Sequence, residues 1–140
     1  MEQSRQSVAR QDLLDRPSQV IERLVSHEDE RGSFVTVVKT DEYQVAYSTT
    51  APWFTRGNHY HLRKWERFVV VSGTAVLEMR DRASGKRSTH LLFAGTPQSI
   101  LVPPNHTHKF INCNDKPLVV LIWCSEPYDP GETDTYAEDV

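Results

Sequence analysis

Three histidines and one glutamate carry the clearest chemical pattern in the sequence. His59 and His61 are separated by one residue, Glu66 follows shortly after, and His108 lies much later in the chain. Successive side chains of a β-strand point to opposite faces, so His59 and His61 share a face if they lie on one strand. Glu66 can open the next antiparallel strand, beside the first, after a turn, and His108 arrives from a distant strand. The pattern predicts a metal site with three imidazoles and a carboxylate.

The types of these four residues suit several divalent metals. Zinc, iron, nickel, copper and manganese all accept imidazole and carboxylate ligands, so the ligand set alone does not choose among them. Zinc is our first expectation. The alternative is that the histidines are buried and hydrogen-bonded without a metal. The turn signal of residues 103–105, Pro-Pro-Asn, precedes His106 and His108, which share one face of a strand by alternation.

Length and charge limit the remaining function classes. A chain of 140 residues fits one domain. Its net charge of -3 gives no electrostatic reason to expect a nucleic acid or a membrane surface as partner. The polar N-terminal residues lack the apolar core of a signal peptide, so we expect a cytoplasmic protein. Cys113 and Cys124 lie in apolar runs and are interpreted as reduced thiols without a chemical role.

The distribution of apolar residues predicts an all-β domain. Residues 1–19 are polar and are interpreted as an N-terminal tail or short helix, and residues 20–140 as the folded domain. Apolar, β-branched runs recur between turn signals, and no long helical period is present. Many short antiparallel strands favour a jelly roll of two sheets. The runs are residues 20–25, 34–39, 43–48, 68–71, 75–79, 90–93, 100–102, 109–112 and 118–124.

Several motifs resemble the cupin superfamily, whose fold is a double-stranded β-helix. The motifs are DERGSF, RGNHYH, ERFVVVSG, PPNHTH and the ending EPYDPGETDTYAEDV. They are most similar to the C-terminal cupin domain of the bifunctional epimerase-reductases of capsular polysaccharide biosynthesis, over roughly residues 24–140. A weaker resemblance extends to the dTDP-4-keto-6-deoxyglucose 3,5-epimerases and to the 3,4-ketoisomerases.

The resemblance implies roles for two arginines and one histidine. Arg31 and Arg56 would bind the diphosphate of a nucleotide-linked sugar, because a guanidinium can bind phosphate oxygens in pairs. The alternative for each arginine is an ordinary ion pair. In the rhamnose-type epimerases, the histidine that matches His59 is the proton-abstracting base.

This sequence departs from the epimerase pattern at three positions. Glu66 stands in place of a lysine, His61 in place of a glutamine, and Trp123 in place of the tyrosine that delivers the second proton. A metal ion could replace the positive charge of the lost lysine. However, His59 cannot be a metal ligand and a free base at once.

The conflict over His59 leaves other residues as candidates for the base. His106 shares the face of His108 by strand alternation and is the first of them. Tyr47 and Lys109 are further candidates.

The resemblance implies an epimerase that acts at C3, and as a second position C5, of a nucleotide-linked 4-keto-6-deoxyhexose through an enolate. Three alternatives remain open: a 3,4-ketoisomerase of the same substrates, a metal-dependent cupin oxygenase, and a non-catalytic sugar-binding cupin. No Gly-x-Gly-x-x-Gly run follows a strand, so no nicotinamide cofactor is expected. Cupins of this type commonly pair, and we expect a homodimer.

Overall fold

The computed structural model describes residues 21–140, which form strands joined by turns and loops. Residues 1–19, interpreted above as a tail or short helix, lie outside the described residues. The strands are β1 (Ser26–Asp29), β2 (Gly32–Lys39), β3 (Gln44–Thr50), β4 (Thr55–Tyr60), β5 (Glu66–Ser72), β6 (Thr74–Asp81), β7 (Arg87–Phe93), β8 (Ser99–Val102), β9 (His106–Ile111), β10 (Leu118–Cys124) and β11 (Tyr136–Ala137).

These strands form two antiparallel sheets, as the sequence predicts for a jelly roll. One sheet, here called sheet A, has the strand order β1-β2-β3-β10-β5-β8, and sheet B has the order β11-β4-β9-β6-β7. Strands that are distant in the chain become neighbours, because β10 lies between β3 and β5 while β9 lies between β4 and β6. This topology brings β4, β5 and β9 together around one interior.

The interior between the sheets follows the alternation of side chains along the strands. In β10, Leu118, Val120 and Ile122 are buried, whereas the intervening Leu121 is exposed. Burial of such side chains supplies most of the stabilisation of a domain of this size. The core consists of Phe68, Val70, Ala75, Leu77, Leu92, Val102, Phe110, Leu118, Val120 and Ile122.

The first strand does not coincide with the first apolar run of the sequence, residues 20–25. Residues 21–25 are exposed and form no strand, so the prediction of a strand over residues 20–25 is wrong for its described part. The polar residues Ser26–Asp29 form β1 instead, because a tight turn pairs Asp29 with Gly32 and continues the hairpin to Val35. β1 is an edge strand with all four residues exposed, where hairpin pairing decides the structure and hydrophobicity does not.

A search of residues 21–140 finds no helix of the length and hydropathy that a membrane crossing requires.

Candidate metal centre

The four residues of the predicted metal site meet between the two sheets. His59 lies near the end of β4, His61 just beyond it, Glu66 at the start of β5, and His108 within β9. His59 and His108 are direct cross-strand partners. One ligand atom from each of the four residues lies within 4.8 Å of the others. The convergence that the spacing predicts is therefore present in the fold.

A β-bulge places the side chains of Arg56 and His59 on the same inner face. Arg56 pairs with Phe110 and His59 with His108, although an unbroken strand would turn residues three apart to opposite faces. The register shifts between Gly57 and His59. Gly57 has a φ of 103° and Asn58 a φ of 56°, which are backbone conformations that favour glycine and asparagine.

Glu66 is the centre of the cluster. Its Oε1 lies 2.7 Å from Nε2 of His61 and 3.0 Å from Nε2 of His108. The thiol of Cys124 donates to the other carboxylate oxygen, Oε2, over 3.6 Å. Glu66, His61 and His108 are all buried. One oxygen of the carboxylate thus faces the histidines while the other is held by β10.

The hydrogen bonds of two rings direct their Nε2 atoms towards this centre. Nδ1–H of His61 donates to the carbonyl of Asp134 over 2.7 Å, and Nδ1–H of His108 donates to the carbonyl of His106 over 3.0 Å. In a neutral imidazole with Nδ1 protonated, Nε2 carries a lone pair. Nε2 of His108 is buried and has no well-aligned hydrogen-bond partner, despite its short distance to Glu66. Such orientation of rings by carbonyls is typical of metal-ligating histidines, so these residues fit a divalent cation.

The protonation states also suit cation binding. Burial and the neighbouring His108 lower the pKa of His59 to about 4, so its imidazole is neutral at neutral pH. Burial opposes ionisation of Glu66, but the short contacts of its carboxylate with Nε2 of His108 and of His61, together with the positive charge of those rings when protonated, outweigh burial and hold the pKa of Glu66 below its ordinary value. Burial is the largest single influence on His61 and opposes its protonation, but the hydrogen bond and charge of Glu66 and the carbonyl of Asp134 together outweigh it and raise the pKa of His61. The buried carboxylate of Glu66 therefore faces the lone pairs of imidazole nitrogens. Their mutual repulsion is relieved by a proton or a metal ion between them.

The two predicted phosphate-binding arginines lie at the β2–β3–β4 side of the fold. Arg31 forms an exposed ion pair with Asp29, with Nη2 2.6 Å from Oδ2. Nη2 of Arg56 donates to the carbonyls of Ser33 and Thr49, each over 3.3 Å, and Nε of Arg56 is buried without a partner. Burial and the nearby charge of Arg31 lower the pKa of Arg56. Two guanidinium groups thus lie close together with Asp29 as their acidic neighbour.

A comparison with known families decides the identity of the domain. The family described as "Polysaccharide biosynthesis C-terminal domain" matches residues 27–136. The chain belongs to this family. Among solved structures, the capsular polysaccharide assembling protein CapF of Staphylococcus aureus is similar with a TM-score of 0.83 and 32% identity, over 89% of this chain and 34% of CapF.

Two curated proteins are similar to this chain over different shares of their own length. A UDP-2-acetamido-2,6-beta-L-arabino-hexul-4-ose reductase of Pseudomonas aeruginosa is 35% identical over 79% of this chain, which spans 30% of the reductase. The spore coat polysaccharide biosynthesis protein SpsL of Bacillus subtilis is 24% identical over 81% of this chain and 83% of SpsL. The chain thus spans about a third of the reductase and of CapF, but most of the length of SpsL.

The cupin fold predicted for this polysaccharide biosynthesis C-terminal domain is confirmed. Besides CapF, the oxalate decarboxylase of Lactobacillus farciminis is similar with a TM-score of 0.69 and 23% identity, over 81% of this chain and 33% of the decarboxylase. At that identity, the likeness shows the fold alone.

The candidate bases fall into two groups, according to whether they lie on the inner or the outer face of their sheet. His106 lies on the inner face of β9 with His108, and Nδ1–H of His106 donates to the carbonyl of Pro104 over 2.9 Å. Lys109 points to the opposite face, where its Nζ lies 3.2 Å from Glu78. Tyr47 and Trp123 belong to the outer face of sheet A, because their neighbours Ala46, Ser48 and Ile122 are the buried ones. The candidates Tyr47 and Lys109 therefore do not face the cluster.

Sequence analysis missed two residues that contact the metal-site cluster, which consists of His59, His61, Glu66 and His108. Cys124, to which we assigned no chemistry, contacts Glu66, since the two are cross-strand partners. Asp134 contacts His61 from a loop near the C-terminus. A signal for Asp134 exists in the ending GETDT, where an aspartate between two threonines follows a turn, but the long-range contact is visible only in the fold.

Proposed function

We propose that this domain binds a divalent metal ion and epimerises a nucleotide-linked 4-keto-6-deoxyhexose at C3, with C5 as a second position. The observation that carries the proposal is the convergence of His59, His61, Glu66 and His108 on the inner face that also carries Arg56. The name of the Pseudomonas reductase supports the substrate class, since it specifies a UDP-linked hexul-4-ose, which is a 4-keto sugar.

The substrate would be held by the arginines. Nε of Arg56 is buried and unpartnered, and its guanidinium lies near that of Arg31, so a diphosphate would satisfy a donor and neutralise two like charges. The surface ion pair of Arg31 with Asp29 costs little to exchange for phosphate, because solvent screens exposed ion pairs and they contribute little to stability.

The metal would be held by the four clustered side chains, and zinc is the first candidate because it accepts histidine and carboxylate ligands. When bound, a divalent cation supplies positive charge that stabilises an oxyanion such as the enolate of a 4-keto sugar. Glu66 supplies the negative charge of the site, and the three imidazoles supply neutral nitrogen ligands.

His106 is our proposed base for the removal of the C3 proton, and solvent water would return a proton to the opposite face of the enolate at C3, which inverts that carbon. Its Nδ1–H is engaged by the carbonyl of Pro104, so in the neutral ring Nε2 is free to accept a proton. His59, the other catalytic candidate, serves in this scheme as a metal ligand, because a ligating nitrogen has no lone pair left for a proton. A positioned base of this kind typically accelerates a reaction by about 10²–10⁴-fold.

The test measures solvent deuterium in the sugar. The metal-loaded protein is incubated in D₂O with UDP- and dTDP-linked 4-keto-6-deoxyhexoses, and the products are analysed by NMR and mass spectrometry. We expect deuterium at C3, together with inversion at that carbon. His106→Asn should slow the exchange by about 10²–10⁴-fold and leave the metal content unchanged.

Other outcomes of this experiment would replace the proposal. Movement of the carbonyl to C3 would indicate a 3,4-ketoisomerase, and dioxygen consumption an oxygenase. Saturable binding of the sugars without deuterium incorporation would indicate a non-catalytic sugar-binding domain. The control is Glu78→Gln, which removes a carboxylate from the outer face of sheet B and should leave exchange intact.

The outer face of sheet A supports the predicted homodimer. Tyr47, Leu121 and Val69 form a cross-strand row on this face, and Val71 and Leu101 are exposed beside them. An apolar sheet surface of this kind is typical of an interface between subunits. Sedimentation equilibrium should give twice the mass of one chain, and Leu121→Glu should halve it. A wild-type protein that remains a monomer at high concentration would exclude the dimer. The cytoplasmic location expected from the sequence stays a prediction.

A further inference from the structure

A loop near the C-terminus contacts the metal-site cluster through one buried aspartate. Asp134 follows β10 in the chain and is only 2% exposed. Its backbone has a φ of 48°, a left-handed conformation that aspartate and asparagine adopt more readily than most residues. Its position between β10 and β11 lets it reach the turn that connects β4 with β5.

The carboxylate of Asp134 binds the backbone of that turn. Oδ1 accepts the N–H of Leu62 over 2.9 Å, and Oδ2 accepts the N–H groups of Arg63 and Lys64 over 2.9 and 3.0 Å. Three successive N–H groups that point at one anion form a concave backbone site. The turn lies directly between His61 and Glu66, so its conformation determines how these two side chains approach each other.

The backbone carbonyl of the same residue orients the ring of His61. It accepts the Nδ1–H of His61 over 2.7 Å, while Nε2 of that ring lies 2.7 Å from Oε1 of Glu66. The neighbouring carbonyl of Thr133 accepts a hydrogen bond from the buried Lys64 over 2.9 Å, which adds a further tie between loop and turn. One residue thus fixes both the backbone around His61 and the tautomer of its ring.

We propose that Asp134 is a positioning residue for the metal ion, acting through His61 and the turn Leu62–Lys64. Hydrogen bonds behind metal ligands typically contribute about 10–100-fold in metal affinity, because they fix ring orientation and tautomer. This inference rests on the proposed metal centre and adds to it a residue that makes no contact with the ion.

The test compares the affinities of variants for Zn²⁺ by competition with a chromophoric chelator at a temperature far below unfolding. Asp134→Ala should bind Zn²⁺ about 10–100-fold more weakly than wild type. Asp134→Asn keeps an amide oxygen and the tolerance for positive φ, and should lose less affinity than Asp134→Ala. Glu132→Gln is the matched control, since Glu132 binds Arg63 of the same turn from an exposed position and should leave affinity unchanged.

A second measurement does not depend on the folding of any variant. In the zinc-loaded wild type, long-range ¹H–¹⁵N NMR of the imidazoles should show His61 protonated at Nδ1 and ligated through Nε2. The opposite tautomer, or equal zinc affinity in wild type and Asp134→Ala, would overturn the role of Asp134 while the metal centre stands. Failure of the wild type to bind zinc or any other divalent cation would overturn the metal centre and this inference with it.

Discussion

Glu66→Ala should reduce metal affinity by at least about a hundredfold. Protein zinc sites with four ligands bind with roughly 10–16 kcal/mol, so one ligand corresponds to about 3 kcal/mol, or about two factors of ten. Glu66 is the one anionic member of the cluster, and its Oε1 contacts Nε2 of both His61 and His108. Titration with a chelator that competes for Zn²⁺ measures the loss directly. His108→Ala should cause a loss of similar size.

The control for Glu66→Ala is Glu78→Gln. Glu78 is also a carboxylate on a central part of the fold, but it pairs with Lys109 on the outer face of sheet B. Its removal should leave zinc affinity within error of wild type. Zinc should also raise the melting temperature of the wild type and of Glu78→Gln, because a ligand that binds only the folded state stabilises it. Full metal occupancy in Glu66→Ala and His108→Ala would show that the ligand set is wrong.

Gly57→Ala should destabilise the fold and also impair the metal site. A Cβ at Gly57 would lie 2.8 Å from the carbonyl oxygen of His108 and 2.9 Å from Cα of Lys109, and both are backbone atoms that cannot rotate away. The φ of 103° adds conformational strain for any side chain. We expect a loss of about 3 kcal/mol or more in the free energy of unfolding, within the range of strained or overpacked sites. Urea denaturation followed by tryptophan fluorescence measures it.

The matched control for this substitution is Gly85→Ala. Gly85 also has a positive φ, of 76°, but no atom lies within 4 Å of an added Cβ. Its cost should be limited to the left-handed backbone, about 1–2 kcal/mol. The difference between the two variants isolates the contact of β4 with β9. Equal costs would mean that the close approach at Gly57 does not matter, and unchanged zinc affinity in Gly57→Ala would mean that the bulge does not position His59.

The elements of the site that local physics determines could be predicted from the sequence. The two-residue period of a strand predicted that His59 and His61 share a face, and their ligand atoms do converge, although His61 lies just beyond the end of β4. The turn signal before His106 correctly predicted that β9 begins there. Glu66 opens β5, as expected from the length of the intervening turn. The expectation that this strand lies beside β4 is wrong, because β5 pairs with β10 and β8 in sheet A and faces β4 across the interior. Side-chain alternation along β9 also puts Lys109 on the other face of the sheet from His108. The sequence alone could therefore have excluded Lys109 as a base.

The other parts of the site depend on pairings between distant strands. Cys124 reaches Glu66 because β10 lies beside β5, and Asp134 reaches His61 across more than seventy residues of chain. The inner face of β3 carries Gln44, Ala46, Ser48 and Thr50, whereas Tyr47 lies on the outer face with Val45. Hydrophobicity along β3 therefore points to the wrong face, and only the packing of the two sheets excludes Tyr47. The bulge at Gly57 could be suspected from a glycine inside a strand, but the register shift required the partner strand.

The central claim is that four side chains hold one metal ion, and anomalous X-ray diffraction tests it most directly. Crystals of the zinc-loaded protein, measured on both sides of the zinc absorption edge, should show one anomalous peak among His59, His61, Glu66 and His108. The peak should lie about 2.0–2.2 Å from each ligating nitrogen and oxygen atom. If crystals grown with zinc, manganese, iron, nickel or copper show no anomalous density between these side chains, this account of the domain is contradicted.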